Sequence, residues 1–331
     1  MAKDLRFPLG RRRLLAYGGG LAAPGAGRAQ GAWGPSRPVR IVVGFVPGGT
    51  TDNTARLLAP HFSEWLGQPV VVDNRGGAGG NIGTEQVVRA APDGHALLLA
   101  QGGQIVINPL TFPSLGFDPL ADLAPVAMAR TGDFVLVAHP GLGVATLQEL
   151  LALLRREPGR HHYATTAPGG LVHAITEAFK ARTGARIEGV HFRGSGQSTP
   201  EVLSGRVPLM VEGVANMLEH IRGGAVRPLM VASDARSPVL PDVPTAAEAG
   251  LTDFAFLNWF AFFAPRGTPQ GIVDRYAGLT ARALAVPAVA ERIRATGDRP
   301  GTGAAEDLAA VVAREHRVFG EVVRAQGIRA E

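Results

Sequence analysis

The feature that most constrains the fold is a near-continuous apolar run at Val39–Val46, with Pro38 before it and Pro47 after it. Such a run between prolines is typical of a β-strand that is buried on both faces, as in a parallel sheet. Two glycines follow, and apolar residues then recur at helical spacing up to a further glycine at 67. The segment therefore predicts a strand, a tight turn and an amphipathic helix, which is the building unit of an α/β protein.

The same alternation of apolar runs and helical patterns continues to the end of the chain. Further strands are predicted at 70–72, 95–100, 134–139, 161–166, 187–192, 207–212, 226–232 and 256–263, and further helices at 82–90, 146–156, 171–183, 198–204, 215–222, 245–249, 269–285, 288–296 and 304–325. From this pattern alone, one doubly wound sheet and two α/β lobes joined by crossing strands are equally possible.

The first 29 residues differ from the rest and predict a secretory signal peptide. A basic start is followed by a short Gly- and Ala-rich apolar stretch, and Gly27 and Ala29 have the spacing that a signal peptidase recognises. The segment Arg11–Leu15 resembles a twin-arginine export motif. A disordered leader or a membrane anchor is the alternative, but the apolar stretch is shorter than the roughly 20 residues that span a bilayer.

Removal of this segment changes the charge of the protein. Residues 1–29 hold six of the 33 basic residues and one of the 28 acidic residues, which leaves 27 of each in the mature chain. A neutral mature chain gives no support to a nucleic-acid partner. The chain has no cysteine, which excludes disulfides, thiolate metal sites and cysteine nucleophiles. The longest later apolar run, Phe254–Pro265, is too short to span a membrane and contains Asn258.

The turn at residues 47–52 is the best local candidate for a ligand site. It lies where a predicted strand ends and a helix begins, and open α/β sheets bind ligands at that edge. A helix start offers unpaired N–H groups and a partial positive charge, while Gly48 and Gly49 let a ligand approach the backbone. A tight turn without a ligand is the alternative. Asp52 could contact a ligand amine or, more simply, cap the helix through N–H groups two or three residues further on.

Other motifs give no support to an enzyme. The glycine-rich stretch 77–83 has Ile82 where a dinucleotide-binding fingerprint needs glycine. The chain contains no serine-hydrolase elbow and no zinc-protease motif. The neighbours His161 and His162 point to opposite faces of a strand and do not easily share a metal. His173 lies at another strand-to-helix junction, where a site role and a local hydrogen bond on a helix face are both possible.

Several of these segments together resemble the extracytoplasmic solute receptors of tripartite tricarboxylate transporters, often called Bug receptors. The resemblance covers about residues 37–328, and its most specific part is the run from Gly67 to Gly83. The matching stretches are 38–43, 47–49 with Asp52, 66–72, 74–83, 91–94, 107–109, 117–119, 236–238, 240–245, 264–265 and 267–269.

The resemblance implies a two-lobed Venus-flytrap fold, in which each lobe is a mostly parallel sheet flanked by helices. The first lobe would hold residues 33–131 and 256–331, and the second would hold residues 132–255. The chain would cross between lobes near Asp133 and again near Phe254. In this family the ligand lies in the cleft between the lobes, and its carboxylate is held largely by backbone N–H groups and ordered waters.

Matched position by position, the resemblance implies ligand contacts on loops of both lobes. Those of the first lobe would be Phe45, Gly48, Gly49, Thr50, Asp52, Gln101 and Gly102, and those of the second would be Thr165, Thr166, Gly169, Gly170, His173, Phe192, Arg193 and Glu212. The chain departs from the family pattern at Val46, at 101–104, at 192–194 and at 212–213. These departures lie on ligand-facing loops, so the identity of the ligand stays open.

The expected function is capture of a small carboxylate in the periplasm and its delivery to the membrane subunits of a tripartite tricarboxylate transporter. The protein is expected to be a monomer without cofactor, metal or catalytic residues. Two alternatives stay open. A receptor without a transporter would be distinguished by its genomic neighbours, and an enzyme by turnover of the ligands that a receptor would retain. A dicarboxylate, an aromatic acid and an amino acid are all possible ligands.

Overall fold

A computed structural model describes residues 33–166, 168–192 and 194–330 of the chain. The predicted signal peptide at 1–29, and Arg193 among the predicted ligand contacts, lie outside these described residues. The strands are β1 Val39–Val43, β2 Val70–Asn74, β3 Ala96–Gln101, β4 Leu123–Ala138, β5 His162–Thr165, β6 Glu188–His191, β7 Leu209–Gly213, β8 Arg227–Val231, β9 Leu257–Pro265 and β10 Arg299–Pro300. The helices are α1 Thr50–Leu66, α2 Asn81–Val88, α3 Gly102–Val106, α4 Asn108–Thr111, α5 Pro119–Asp122, α6 Leu147–Arg156, α7 Leu171–Thr183, α8 Ser195–Leu203, α9 Val214–Arg222, α10 Gln270–Leu284, α11 Pro287–Arg294 and α12 Ala305–Gln326.

The strand predicted from the first apolar run is buried on both faces. β1 lies between β2 and β3 and is parallel to both, with Ile41 opposite Val72 on one side and Leu97 on the other. Val42 packs into one hydrophobic cluster, whereas its neighbours Ile41 and Val43 pack into another. Because side chains alternate across a strand, this division shows that helices cover both faces of the sheet.

Strand β4 joins two sheets. Its first part, up to Asp133, pairs with β9, and β10 also pairs with this part. From Phe134 onward β4 pairs with β7 on one side and β8 on the other. We call the sheet formed by β1, β2, β3, β9, β10 and residues 123–133 the first sheet, and the sheet formed by β5–β8 and residues 134–138 the second sheet.

The two sheets are mixed, so the expectation of mostly parallel sheets needs correction. Parallel pairing holds for β1 with β2 and β3, and for β5 with β6 and β7. β9 pairs antiparallel with both β3 and β4, and β4 pairs antiparallel with β7 and β8. The physical reason is the crossing itself, because a chain that leaves along β4 and returns along β9 runs in opposite directions in the two strands.

Two predicted elements also differ from the structure. The strand expected at 134–139 begins at Leu123, and its pairing with β9 has register shifts after Pro125 and Met128. These irregularities explain why the sequence pattern did not show the first part of the strand. The helix expected at 245–249 is a turn, because Ala249 N–H bonds to Thr245 O only once before Gly250 adopts a φ of 85°.

Candidate ligand-binding site

The predicted turn after β1 has a close counterpart in the second sheet. Gly48 and Gly49 lead from β1 into α1, and Gly169 and Gly170 lead from β5 into α7. The first glycine of each pair is left-handed, with φ of 94° at Gly48 and 71° at Gly169. The second glycine is the extended N-cap residue of its helix, with φ and ψ of −76° and 172° at Gly49 and −77° and 175° at Gly170. We call these two turns the paired glycine turns.

Each paired glycine turn is braced by a side chain four residues after its first glycine. Gly48 N–H donates to Asp52 Oδ2 at 2.9 Å, and Gly169 N–H donates to His173 Nδ1 at 2.9 Å. The first intrahelical bonds are those of Asn53 to Gly49 O and of Ala174 to Gly170 O. The three N–H groups before each of these bonds have no intrahelical acceptor, so both turns present free donors where an anion binds favourably.

Asp52 has a structural role that differs in detail from the capping that we expected. Its side chain is 2% exposed and accepts from an N–H four residues earlier in the chain, at Gly48, rather than from one further along. Oδ2 also accepts from Arg56 Nε at 3.0 Å. Burial acts to raise the pKa of Asp52, but the hydrogen bonds from Arg56 and the Gly48 N–H outweigh it, and the pKa lies below its usual value. Asp52 is therefore an ionised brace of the turn.

His173 braces the second turn as a neutral imidazole. Burial lowers its pKa to about 4, with Glu177 opposing and His191 and Lys180 adding to the shift. Because Nδ1 accepts from Gly169, the proton of the neutral ring is assigned to Nε2, which faces Glu177 Oε1 at 3.7 Å. The geometry thus contains the local hydrogen bond that the sequence left open as one of two possibilities.

Two further helices of the second sheet begin in the same way. Gly194 is the N-cap residue of α8 after β6, and Gly213 is the N-cap residue of α9 after β7. Neither glycine has a side chain that could cap its helix, so no N-cap side chain accepts from the first two N–H groups of either helix. The carboxyl ends of parallel strands lie at one edge of a sheet, which places the starts of α7, α8 and α9 together at the edge of the second sheet.

Glu212 organises the start of α9. The carboxylate is 4% exposed and accepts from Gly213 N–H at 2.8 Å, from Ser195 Oγ at 2.8 Å and from Asn216 Nδ2 at 3.2 Å. Burial raises the pKa of Glu212, and the three hydrogen bonds oppose that shift. Ser195 is the first residue of α8, so Glu212 fixes the starts of two neighbouring helices relative to each other.

One hydrogen bond joins the two sheets at this place, and further polar contacts lie beside it. Thr50 Oγ1, at the start of α1, donates to Asn216 Oδ1 on α9 at 2.9 Å. On the first sheet, Gln101 Nε2 donates to Asn258 Oδ1 on β9 at 3.2 Å. Gly213 of the second sheet lies close to the same amide, since a Cβ on Gly213 would be 2.7 Å from Asn258 Nδ2. The structure thus brings the predicted residues Thr50, Gln101 and Glu212 into one polar group.

The other predicted residues occupy different environments around this group. Thr165 is fully buried, and its Oγ1 has no hydrogen-bond partner within the described ranges, whereas Thr166 is partly exposed. Phe45 and Phe192 are partly buried and pack against hydrophobic clusters. Gly102 has a packing role, because a Cβ there would lie 2.7 Å from Trp259 Cε2. Two surface cavities of about 220 and 410 Å³ lie elsewhere.

Sequence reasoning missed Asn216, Asn258 and Ser195 as members of this polar group. Asn258 had a visible signal, because it is a lone amide inside the apolar run 254–265. Asn216 had none, since its partner Thr50 lies 166 residues away in the chain. No group of three or more His, Asp or Glu side chains that could hold a metal occurs in the part of the chain that the structure describes.

Comparison with known proteins identifies the family of this chain. The model of the tripartite tricarboxylate transporter family receptor matches residues 54–328, so the chain belongs to that receptor family. Protein BugT of Bordetella pertussis is 38% identical over 311 residues, which is 94% of each chain.

Two solved structures share the fold closely. Rpa4515 of R. palustris with adipate has a TM-score of 0.84 and 34% identity, covering 89% of this chain and 99% of its own. MatC of Rhodopseudomonas palustris with bound malate has a TM-score of 0.82 and 33% identity, covering 87% of this chain and 99% of its own. The predicted α/β fold of a two-lobed periplasmic binding protein is thereby confirmed. Within the described ranges, no helix is long and apolar enough to cross a membrane.

Proposed function

We propose that this protein is a periplasmic receptor that captures a small carboxylate between two lobes and delivers it to the membrane subunits of a tripartite tricarboxylate transporter. The observation that carries the proposal is the pair of matching glycine turns, one from each sheet, with free helix-start N–H groups. Backbone N–H groups at a helix start favour an anion without needing a charged side chain. Asp52 and Glu212 are already engaged with their own turns, so they shape the donors rather than repel the ligand.

The lobes are proposed to have the boundaries that the family resemblance implies. The first lobe holds residues 33–131 and 256–331, and the second holds residues 132–255. The exchange of partners along β4 between Asp133 and Phe134 supports the first crossing, and the start of β9 at Leu257 supports the second. Closure of the lobes would bury a ligand that contacts both paired glycine turns.

Small dicarboxylates are the ligands to test first, because the two structural relatives contain adipate and malate. A paired arrangement of two anion-binding turns suits a molecule with two acidic groups. Arg193, beside the N-cap of α8, is proposed to add a cation to the same edge. The site residues proposed from the sequence remain the ligand contacts, with Asp52, His173 and Glu212 acting through the turns that they brace.

Thermal unfolding with added ligands tests the proposed function. Adipate and malate are compared with adipamide and malamide, which keep the size and lose the negative charge. Binding at a ligand concentration of about 100 times Kd adds about 2.7 kcal/mol to the free energy of unfolding. We expect one of the acids to raise the melting temperature and its diamide to leave it unchanged. Equal stabilisation by acid and diamide, or turnover of the acid, would contradict a carboxylate receptor.

The proposed location follows from the same family membership. Residues 1–29 are proposed to be removed on export by the twin-arginine route, which leaves a monomeric mature protein that begins near Gln30. N-terminal sequencing of the periplasmic protein checks the cleavage, and replacement of Arg11, Arg12 and Arg13 together by lysine checks the route.

A further inference from the structure

One hydrogen bond connects the candidate ligand turn of the first sheet with a helix of the second. Thr50 is the first residue of α1 and belongs to the turn that presents the free N–H groups. Its hydroxyl donates to Asn216 Oδ1 at 2.9 Å, and Asn216 lies in the first turn of α9. The two residues lie in different proposed lobes, so any movement that opens the cleft at this point must break this bond.

Glu212 fixes the direction of that bond. Glu212 Oε1 accepts from Asn216 Nδ2 at 3.2 Å and also from Gly213 N–H at 2.8 Å, and an oxygen that accepts from a backbone N–H is itself an acceptor. The amide of Asn216 must therefore turn its NH₂ group toward Glu212 and its oxygen toward α1. Only a donor can then pair with Asn216 Oδ1, and the hydroxyl of Thr50 provides that donor. Glu212 and Asn216 lie in the same proposed lobe, so their bond persists when the lobes separate.

We propose that Asn216 is a closure residue of this receptor, oriented by Glu212 and joined to Thr50 only when the lobes are closed. We call Thr50, Asn216 and Glu212 the closure latch. The inference rests on the proposed function, since it assigns the residue that holds the closed, ligand-bound state. A ligand on the N–H groups at the start of α1 fixes the position of Thr50, and the latch then couples that position to the second lobe. The closure latch therefore slows ligand release more than it affects ligand capture.

Release kinetics test the closure latch, with malate and adipate as probes. The Thr50→Val variant removes the hydroxyl, keeps the branched side chain and leaves every contact of Glu212 in place. Asn216→Ala removes the other partner. A single neutral hydrogen bond accounts for about a threefold to tenfold effect, so either change should raise the dissociation rate constant by about that factor. The association rate constant of Asn216→Ala should change by less than about twofold, because the latch forms after encounter.

Three further proteins separate a latch from a structural role. Thr50→Ser keeps the hydroxyl and should restore the slow release. The double variant Thr50→Val with Asn216→Ala should release the probe no faster than the single variants, since both remove the same bond. Glu219→Ala is the matched control, because Glu219 lies on the same helix with its side chain 81% exposed and should change neither rate constant.

The outcomes distinguish the closure latch from the proposed function. Binding of a probe by the original protein together with unchanged release from Thr50→Val overturns the latch and leaves the proposed function standing. Failure of both probes to bind contradicts the proposed function, and it overturns the latch as well, because the latch is assigned to the closed, ligand-bound state.

Discussion

The Gly49→Val variant separates ligand binding from folding at the first paired glycine turn. The φ of −76° and ψ of 172° at Gly49 lie in the extended region, which valine adopts without strain. A Cβ at this position would have no atom within 4 Å, so the added side chain faces open space beside the start of α1. Glycine is required for conformation only at the preceding residue, Gly48, whose φ is 94°. The valine side chain should therefore block an anion from the N–H groups while the turn keeps its shape.

The expected magnitudes differ enough to be measured. Replacement of the N-cap glycine by a residue that caps poorly costs about 1 kcal/mol of stability. Loss of binding removes the stabilisation of about 2.7 kcal/mol that a ligand supplies at about 100 times Kd. With about 2–4 °C per kcal/mol for chains of about 150–250 residues, the ligand-free protein should melt a few degrees lower. The ligand-induced rise of several degrees should disappear completely.

Thermal unfolding with and without malate or adipate measures both effects on the same sample. Ala304→Val is the matched control, because Ala304 is the N-cap residue of α12 and has an extended conformation as well. Because alanine and valine both cap poorly, this control should change stability little, and it should keep the full ligand-induced rise. If Gly49→Val also keeps the full rise, the start of α1 does not bind the ligand and the reasoning from free N–H groups is wrong.

Two further predictions concern the frame around the site. Gly132→Ala should lower the free energy of unfolding in urea by about 1–3 kcal/mol, because the added Cβ would lie 2.7 Å from Cγ of the buried Asp298, which Arg130 holds in place. Gly278→Ala on α10 is the control and should not lower the stability, because the space around Gly278 is open. An equally stable Gly132→Ala protein would contradict the predicted clash. The second prediction concerns Glu315, whose carboxylate accepts a hydrogen bond from the indole N–H of Trp259. Burial raises the pKa of Glu315 to about 7, and the Trp259 hydrogen bond and Arg314 oppose that shift. Because this folded-state pKa lies above the ordinary 4.5, the free energy of unfolding should fall by about 3 kcal/mol as the pH rises from about 4.5 through about 7. Melting curves should show this fall for the original protein and not for Glu315→Gln.

Local patterns were sufficient to predict most elements of the fold. The apolar run at β1 and the glycine at 67 gave a strand and the end of a helix, and Gly67 indeed ends α1 with a φ of 67°. Only the second part of the long strand β4 was predicted, because Pro125 and the register shifts near it interrupt the period-2 pattern of the first part. The antiparallel pairing of β4 and β9 could not be predicted from local sequence, since it depends on where the chain crosses between the sheets.

The sequence indicated the turn at the candidate site but not the contacts between distant segments. Gly48, Gly49 and Asp52 are neighbours in the chain, so their spacing alone indicated a turn with a nearby carboxylate. The hydrogen bond of Asp52 was predicted in the wrong direction along the chain. Capping rules describe N–H groups that follow the capping residue, whereas the carboxylate of Asp52 accepts from the N–H of Gly48, which precedes it. Asn216 could not be predicted, because only the folded chain shows that it meets Thr50.

The braced turns give a physical reason why buried acids at the proposed site would not prevent the binding of an anion. Asp52, His173 and Glu212 each accept from one backbone N–H, that of Gly48, Gly169 or Gly213 respectively. In each case one acceptor atom is occupied by the backbone donor that precedes or begins a helix, and the next N–H groups along the helix have no intrahelical acceptor. A fixed acceptor behind the turn also holds those free donors in one direction before the ligand arrives, which lowers the ordering cost of binding. At the proposed site, selectivity for an anion would come from oriented backbone rather than from net charge, in agreement with 27 basic and 27 acidic residues in the chain after residue 29.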